Sequence, residues 1–191
     1  MAIFFKVYLA DPLVCVPSNM LLPININLQS MFKKCVDASG GAFSDALVHW
    51  LAYNPTPQLH ELMLYFLPDR EKSIAVEIGK TPSRTAAGST GWTTAQGAVS
   101  EIYMSEVGKD ADFAAALGFH ELMHNKLRLT DPQLHPKGGL AGASVSNIAQ
   151  LSNSNIADMA AALKNNAPQY AAGLMSAING RNDQISRYYT F

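Results

Sequence analysis

Two histidines and a glutamate stand in this chain at the spacing that a hydrolytic metal site requires. His120 and His124 are four residues apart, and Glu121 follows the first of them. On an α-helix, residues four apart lie on the same face, so both imidazoles can direct a nitrogen at one metal ion. A zinc ion held there would lower the pKa of its bound water, and the neighbouring carboxylate would take the proton. The spacing predicts metal ligands at His120 and His124 and a general base at Glu121.

A helix must present these residues together, and the surrounding sequence favours one. Residues 110–129 contain no proline and a single glycine, and Asp110 supplies an acid where a helix N-terminus favours negative charge. Side chains at spacings of four, three and four form one stripe, namely Phe113, Leu117, His120 and His124. The two histidines therefore extend the buried face of a predicted helix. A similar run at His60 has Leu64 in place of the second histidine, and it predicts a strand without a metal ligand.

A catalytic zinc site uses three protein ligands and keeps a fourth position open. No Glu follows Glu121 in the sequence, which argues against a glutamate from a later helix as the third zinc ligand. The remaining downstream candidates are one histidine and three aspartates, namely His135, Asp131, Asp158 and Asp183.

The predicted order of strand, helix, loop and downstream histidine in residues 98–135 resembles the zincin metallopeptidases and is most similar to their metzincin branch. In metzincins the pattern continues after the second histidine as x-x-Gly-x-x-His or x-x-Gly-x-x-Asp. Here Leu127 stands at the glycine position and Thr130 at the ligand position, with Asp131 one residue further on. The spacing to a third ligand is therefore longer than in that branch.

His135 lies eleven residues beyond His124. This distance is similar to that in SprT-type zinc proteases, in which the helix runs further before the third histidine. The resemblance implies one zinc ion per chain, bound by His120, His124 and His135. We therefore predict His135 as the third ligand, with Asp131 and Asp158 as the alternatives.

The metzincin resemblance also implies a methionine in a tight turn beneath the metal. Met159 and Met175 are the candidates for that position. A tyrosine hydroxyl can stabilise the negative charge that develops on a carbonyl oxygen. Three tyrosines are candidates, and the sequence selects none of them: Tyr170, Tyr188 and Tyr189.

Length and composition indicate a single globular domain over residues 1–191, because 48% of the chain is apolar and can form a core. The net charge of −1 and the absence of a basic run argue against nucleic acid or an anionic membrane as the main partner. The apolar N-terminus lacks the basic start of a signal peptide and is too short to span a bilayer. We expect a cytoplasmic protein, or one exported by a signal-peptide-independent system. Cys15 and Cys35 are expected to be buried thiols, with a single disulfide bridge as the alternative.

The hydrophobic pattern predicts an α+β, zincin-like fold with a mixed, mostly antiparallel sheet, an active-site helix and a helical C-terminal part. The sheet-rich part would cover 1–107 and the helical part 108–191. Predicted strands lie at 3–16 with an interruption at Asp11, and at 59–67, 73–78 and 98–107. Predicted helices lie at 27–40, 44–53, 110–129, 147–164 with a break near Ser152, and 168–179. The long connection 80–97 carries one large apolar residue, Trp92, which is a candidate for a flap over substrate.

These observations predict a single-domain zinc metallopeptidase, in which Glu121 activates zinc-bound water for attack on a peptide carbonyl. Its substrate would be a protein or peptide, and an inhibitor or immunity protein would be a further partner. A toxin or effector protease and a phage-type protease are the contexts we consider first. A non-proteolytic zinc amidohydrolase and a zinc-binding interaction module stay alternatives, although a binding module has no need of Glu121. A helical interaction protein with chance histidines would bind no metal.

Overall fold

A computed structural model describes residues 4–51, 61–73, 91–93 and 100–165. Five strands lie within these ranges: β1 (Phe4–Ala10), β2 (Asp45–Leu51), β3 (Leu62–Leu67), β4 (Gly91–Thr93) and β5 (Ser100–Tyr103). Five α-helices accompany them: α1 (Ser18–Ala38), α2 (Met104–Val107), α3 (Ala111–Leu127), α4 (Asp131–Leu134) and α5 (Asn153–Lys164). Short 3-10 turns occupy Arg70–Lys72, His135–Lys137, Gly139–Ala141 and Ile148–Gln150.

The strands form one sheet in the order β2-β1-β3-β5-β4, in which β2, β1, β3 and β5 run parallel to one another. Among the described strands, only the three-residue β4, at one end of this order, runs antiparallel to its neighbour β5. The prediction of a mostly antiparallel sheet is therefore wrong, and the described part has the α/β arrangement. Parallel neighbours need crossover connections, and α1 supplies the one between β1 and β2. All six residues of β3 are buried, as is typical of a strand covered on both faces of a parallel sheet.

Helices α1 and α3 pack on one face of the sheet, and a single large core of buried apolar side chains joins them to it. At Gly118, helix α3 lies close to Leu64 of β3. A Cβ atom at this position would lie 2.6 Å from Cδ2 of Leu64, so a larger residue would require the leucine side chain to shift. The helix that carries His120 and His124 is thus fixed directly against the central strand.

Several elements differ from their prediction. Within 44–53, predicted as a helix, residues Asp45–Leu51 form β2, which pairs with β1 at seven positions. The helix predicted from Asn27 begins at Ser18 and continues through Pro23. The strand predicted at 98–107 ends at Tyr103, where α2 begins.

Other predictions are confirmed or lie outside the described residues. The strands at the start of the chain and after His60 are present as β1 and β3, and the break at Asp11 follows the end of β1. The break predicted near Ser152 is present, because the 3-10 turn Ile148–Gln150 ends before it and helix α5 begins at Asn153. The strand predicted at 73–78 falls beyond the described residues after Ser73, as do the helix at 168–179 and most of the connection that carries Trp92. Among the described helices, none combines the length and apolarity needed to cross a membrane.

Candidate metal centre

Helix α3 has a defined beginning and end that place its histidines. Asp110 caps its N-terminus, because Oδ1 accepts a hydrogen bond of 2.9 Å from the backbone N–H of Phe113. The helix ends at Leu127, and Arg128 adopts the left-handed conformation with φ 57°, so the chain turns back toward the helix. The predicted helix at 110–129 is confirmed to within two residues at each end.

Both histidines of the helix are buried and are oriented by backbone carbonyl groups. Nδ1 of His120 lies 2.7 Å from the carbonyl oxygen of Leu140, and Nδ1 of His124 lies 2.7 Å from that of Leu129. A carbonyl oxygen only accepts hydrogen bonds, so each Nδ1 carries the proton and donates it. Each Nε2 is then left with a lone pair, which is the form in which imidazole binds a metal ion.

The two Nε2 atoms of His120 and His124 lie 3.2 Å apart. With both ring protons on Nδ1, they cannot hydrogen-bond to each other, and their lone pairs converge. Ligand atoms at about 2.0–2.1 Å from a tetrahedral metal ion would lie roughly 3.3 Å from one another. The observed separation therefore fits two adjacent ligands of one ion.

His135 reaches the same place from the other side of the site. It begins the 3-10 turn His135–Lys137 directly after α4, whose start is fixed by a capping box between Thr130 and Gln133. One ligand atom from each of His120, His124 and His135 can be chosen so that all three lie within 4.8 Å of one another. The structure thus brings together the three histidines that the sequence singled out. The His135 side chain is 27% exposed, so this side of the site faces solvent.

The acidic alternatives divide into two groups. Oδ1 of Asp131 lies 3.6 Å from Nε2 of His124 and 3.9 Å from Nε2 of His135, beside the cluster. Asp158 instead pairs with Lys137 at 3.1 Å. Asp183 falls outside the described residues.

Asn155, which the sequence did not point to, fixes the loop behind His120. It is fully buried; its Oδ1 accepts from the backbone N–H of Leu140 at 2.8 Å, and its Nδ2 donates to the carbonyl oxygen of Gly138 at 3.0 Å. Gly139, with φ +61°, lies against it, and a Cβ there would collide with Oδ1 of Asn155. The Gly138–Gly139 pair and the Ser-x-x-Asn capping pattern at the start of α5 were the available sequence signals.

Glu121 is buried beneath the edge strand β4. The hydroxyl of Thr93 lies 2.7 Å from Oε2 of Glu121 and 2.8 Å from its backbone carbonyl oxygen. Gly91 lies so close that a Cβ would come within 2.7 Å of Oε1. Sequence analysis predicted Glu121 but neither of these two neighbours, which are joined to it only by the fold.

Burial controls the protonation of these groups. It raises the pKa of Glu121 to about 8, although the hydrogen bond from Thr93 opposes the shift. When Glu121 is protonated, it can donate to Thr93 while Thr93 donates to the backbone carbonyl, which satisfies both short contacts. Burial also lowers the pKa of His120 to about 4, and neighbouring His124 adds to that effect. The pKa of His124 is lowered by burial as well, so both imidazoles are neutral near pH 7.

The remaining candidates have no described place in this cluster. Met159 is fully buried in the core on α5, and not in a tight turn. Met175 and the three candidate tyrosines, Tyr170, Tyr188 and Tyr189, lie outside the described residues. Cys15 and Cys35 are both free thiols, of which only Cys35 is fully buried.

Comparison of the chain with protein-family models, curated proteins and solved structures gave no match. The geometry and chemistry of the site are therefore the basis for assigning a function.

Proposed function

We propose that this chain is a zinc-dependent metallopeptidase, with His120, His124 and His135 as the ligands and Glu121 as the general base. The single observation that supports it best is the 3.2 Å separation of two Nε2 atoms whose ring protons are both held on Nδ1. Converging lone pairs of this kind are stabilised by a cation between them. A set of neutral imidazoles favours zinc among the common divalent ions.

A bound zinc ion would polarise a carbonyl group and lower the pKa of water at the site. The chain itself supplies the proton transfers. Glu121 accepts a proton from water while the water oxygen bonds to the peptide carbonyl carbon. The same proton then passes to the leaving nitrogen as the carbon–nitrogen bond breaks. Its buried setting makes Glu121 a stronger base than an exposed carboxylate, and Thr93 holds one carboxylate oxygen in place.

A peptide is the substrate class that the neighbouring sheet favours. Strand β4 is the last strand of the described sheet, and both Gly91 and Thr93 of this strand touch Glu121. An extended peptide that added itself to such an edge would pair its backbone with the sheet. Its carbonyl groups would then pass close to the general base.

Zinc content and hydrolysis of an unfolded protein substrate test this function together. The wild type is expected to hold about one zinc ion, and His124→Ala and His135→Ala are expected to lose it. His49→Ala is the matched control, because His49 is an exposed histidine on β2, away from the cluster. Glu121→Gln should retain zinc and lose hydrolysis. A wild-type protein that binds no zinc when zinc is supplied would disprove the assignment.

A further inference from the structure

We propose that Asp131 is a fourth, displaceable ligand that closes the metal centre in the resting protein. This inference rests on the function proposed above, and it concerns how that site is opened. The carboxylate oxygen Oδ1 lies 3.6 Å from Nε2 of His124 and 3.9 Å from Nε2 of His135. Adjacent ligands of a tetrahedral ion lie roughly 3.3 Å apart, so these two separations are only slightly longer than those between two ligands of one ion.

The chemistry of the closest pair supports a shared cation. His124 donates its ring proton from Nδ1 to the carbonyl oxygen of Leu129, so its Nε2 offers only a lone pair. The ionised carboxylate of Asp131 also offers only lone pairs. Two acceptors that face each other gain nothing from a hydrogen bond, but a divalent cation between them would attract both.

Asp131 is also the acid that is best able to move. Its side chain is 69% exposed, and within the described residues its carboxylate has ion pairs only with the two histidine rings. By contrast, Thr93 holds Glu121, and Lys137 pairs with Asp158. An exposed side chain on a four-residue helix can rotate away from the metal at little cost.

A displaceable fourth ligand would control the access of water and substrate to the metal. A zinc site with four protein ligands is closed and structural in character, whereas a catalytic site keeps one position for water or substrate. Rotation of Asp131 would convert the first state into the second. Substrate that reaches the site would therefore compete with this carboxylate for the metal.

Cobalt substitution provides a test that does not depend on activity. Co²⁺ has visible absorption that reports its ligands, and azide binds to an open position on it. We expect Asp131→Asn to change the visible spectrum and to bind azide at least about tenfold more tightly than the wild type, because the competing carboxylate is gone. Asp158→Asn is the matched control, since Asp158 pairs with Lys137 and not with the histidines. It should behave as the wild type.

The outcomes separate the two proposals. If the wild type and Asp131→Asn bind cobalt with the same spectrum and the same azide affinity, Asp131 is not a ligand, and the proposed peptidase function is unaffected. If Asp131→Asn stays folded by circular dichroism but loses cobalt, Asp131 is an indispensable ligand, which overturns its displaceable role. If the wild type itself binds no cobalt or zinc, the proposed function fails as well.

Discussion

Asn155 is linked to His120 through a single residue, Leu140. The backbone N–H of Leu140 donates to Oδ1 of Asn155, and the carbonyl oxygen of the same residue accepts from Nδ1 of His120. Helix α5 therefore helps to orient a side chain of helix α3, although the two helices are not adjacent in sequence. The orientation of a candidate metal ligand depends on a buried amide in another element.

Replacing this amide should weaken metal binding. We expect Asn155→Leu to reduce zinc affinity by about 10- to 100-fold, which is typical when a group that orients a metal ligand is removed. Competition with a chromophoric chelator measures the affinity. Asn155→Asp keeps the acceptor for Leu140 but places an oxygen against the carbonyl oxygen of Gly138, so it should weaken zinc binding as well. Asn147→Ala is the control, because Asn147 also caps a helical turn but is exposed. Equal affinities for all variants would show that Asn155 does not position the ligand.

Replacing Glu121 should make the metal-free protein more stable while abolishing hydrolysis. The folded-state pKa of Glu121, about 8, is above its ordinary value of 4.5, so its ionisation disfavours folding as the pH rises between these values. Glu121→Gln removes that cost, and we expect a gain of about 2–4 kcal/mol at pH 7.

Urea unfolding in the presence of a chelator measures this difference in the free energy of unfolding. The gain should shrink at pH 5, because the carboxyl group of the unfolded chain is then close to its ordinary pKa of 4.5 and its ionisation favours unfolding much less. A variant that is less stable than the wild type at pH 7 would contradict the buried, protonated state of Glu121.

The contribution of His120 to the free energy of unfolding should depend on pH in the direction opposite to that of Glu121. The folded-state pKa of His120, about 4, is below its ordinary value of 6.5, so the unfolded chain binds the proton first on acidification. The metal-free protein should therefore lose about 2–3 kcal/mol between pH 6.5 and pH 4 through this group. His120→Gln should lack that part of the loss, whereas His49→Gln should retain it. Unfolding experiments at several pH values give the free energy of unfolding of the three proteins as a function of pH. If the wild type and His120→Gln lose the same stability on acidification, the lowered pKa of His120 is refuted.

A larger residue at position 91 should disturb both the edge strand and the general base. Gly91→Ala would place a Cβ 2.7 Å from Oε1 and 2.9 Å from Cγ of Glu121, and we expect a loss of about 1–3 kcal/mol. In a Glu121→Ala background much of this clash disappears, so the same change should cost less. Thermal unfolding of the four proteins gives the coupling energy. A coupling energy of zero would mean that a side chain at position 91 does not clash with Glu121.

The parts of the site that depend on helical periodicity could be predicted from sequence. His120, Glu121 and His124 are placed relative to one another by the helix itself, and His135 was the only histidine that followed them. Thr93 lies 28 residues from Glu121, and its contact with the carboxylate exists only because β4 joins the sheet. Local patterns contain no information about such a contact, and the same holds for Asn155.

The direction of the strands could not be predicted for a related reason. Alternation of apolar residues defines the faces of a strand, but the direction of its neighbours depends on the connections between them. The continuous apolar run of β3 was the one local sign of a parallel sheet. Residues 45–51 were assigned to a helix because the pairing with β1 that makes them a strand is not local.

The two helix histidines are held by main-chain oxygens, at Leu129 and Leu140, rather than by acidic side chains. A main-chain oxygen is present whatever the side chain, so these two positions are free to change during evolution without altering the tautomer of either imidazole. Leu140 is limited only by its place in the core, and Leu129 is less buried. Distant homologues of this chain would therefore be expected to keep the three histidines and the glutamate while the sequence around them diverges.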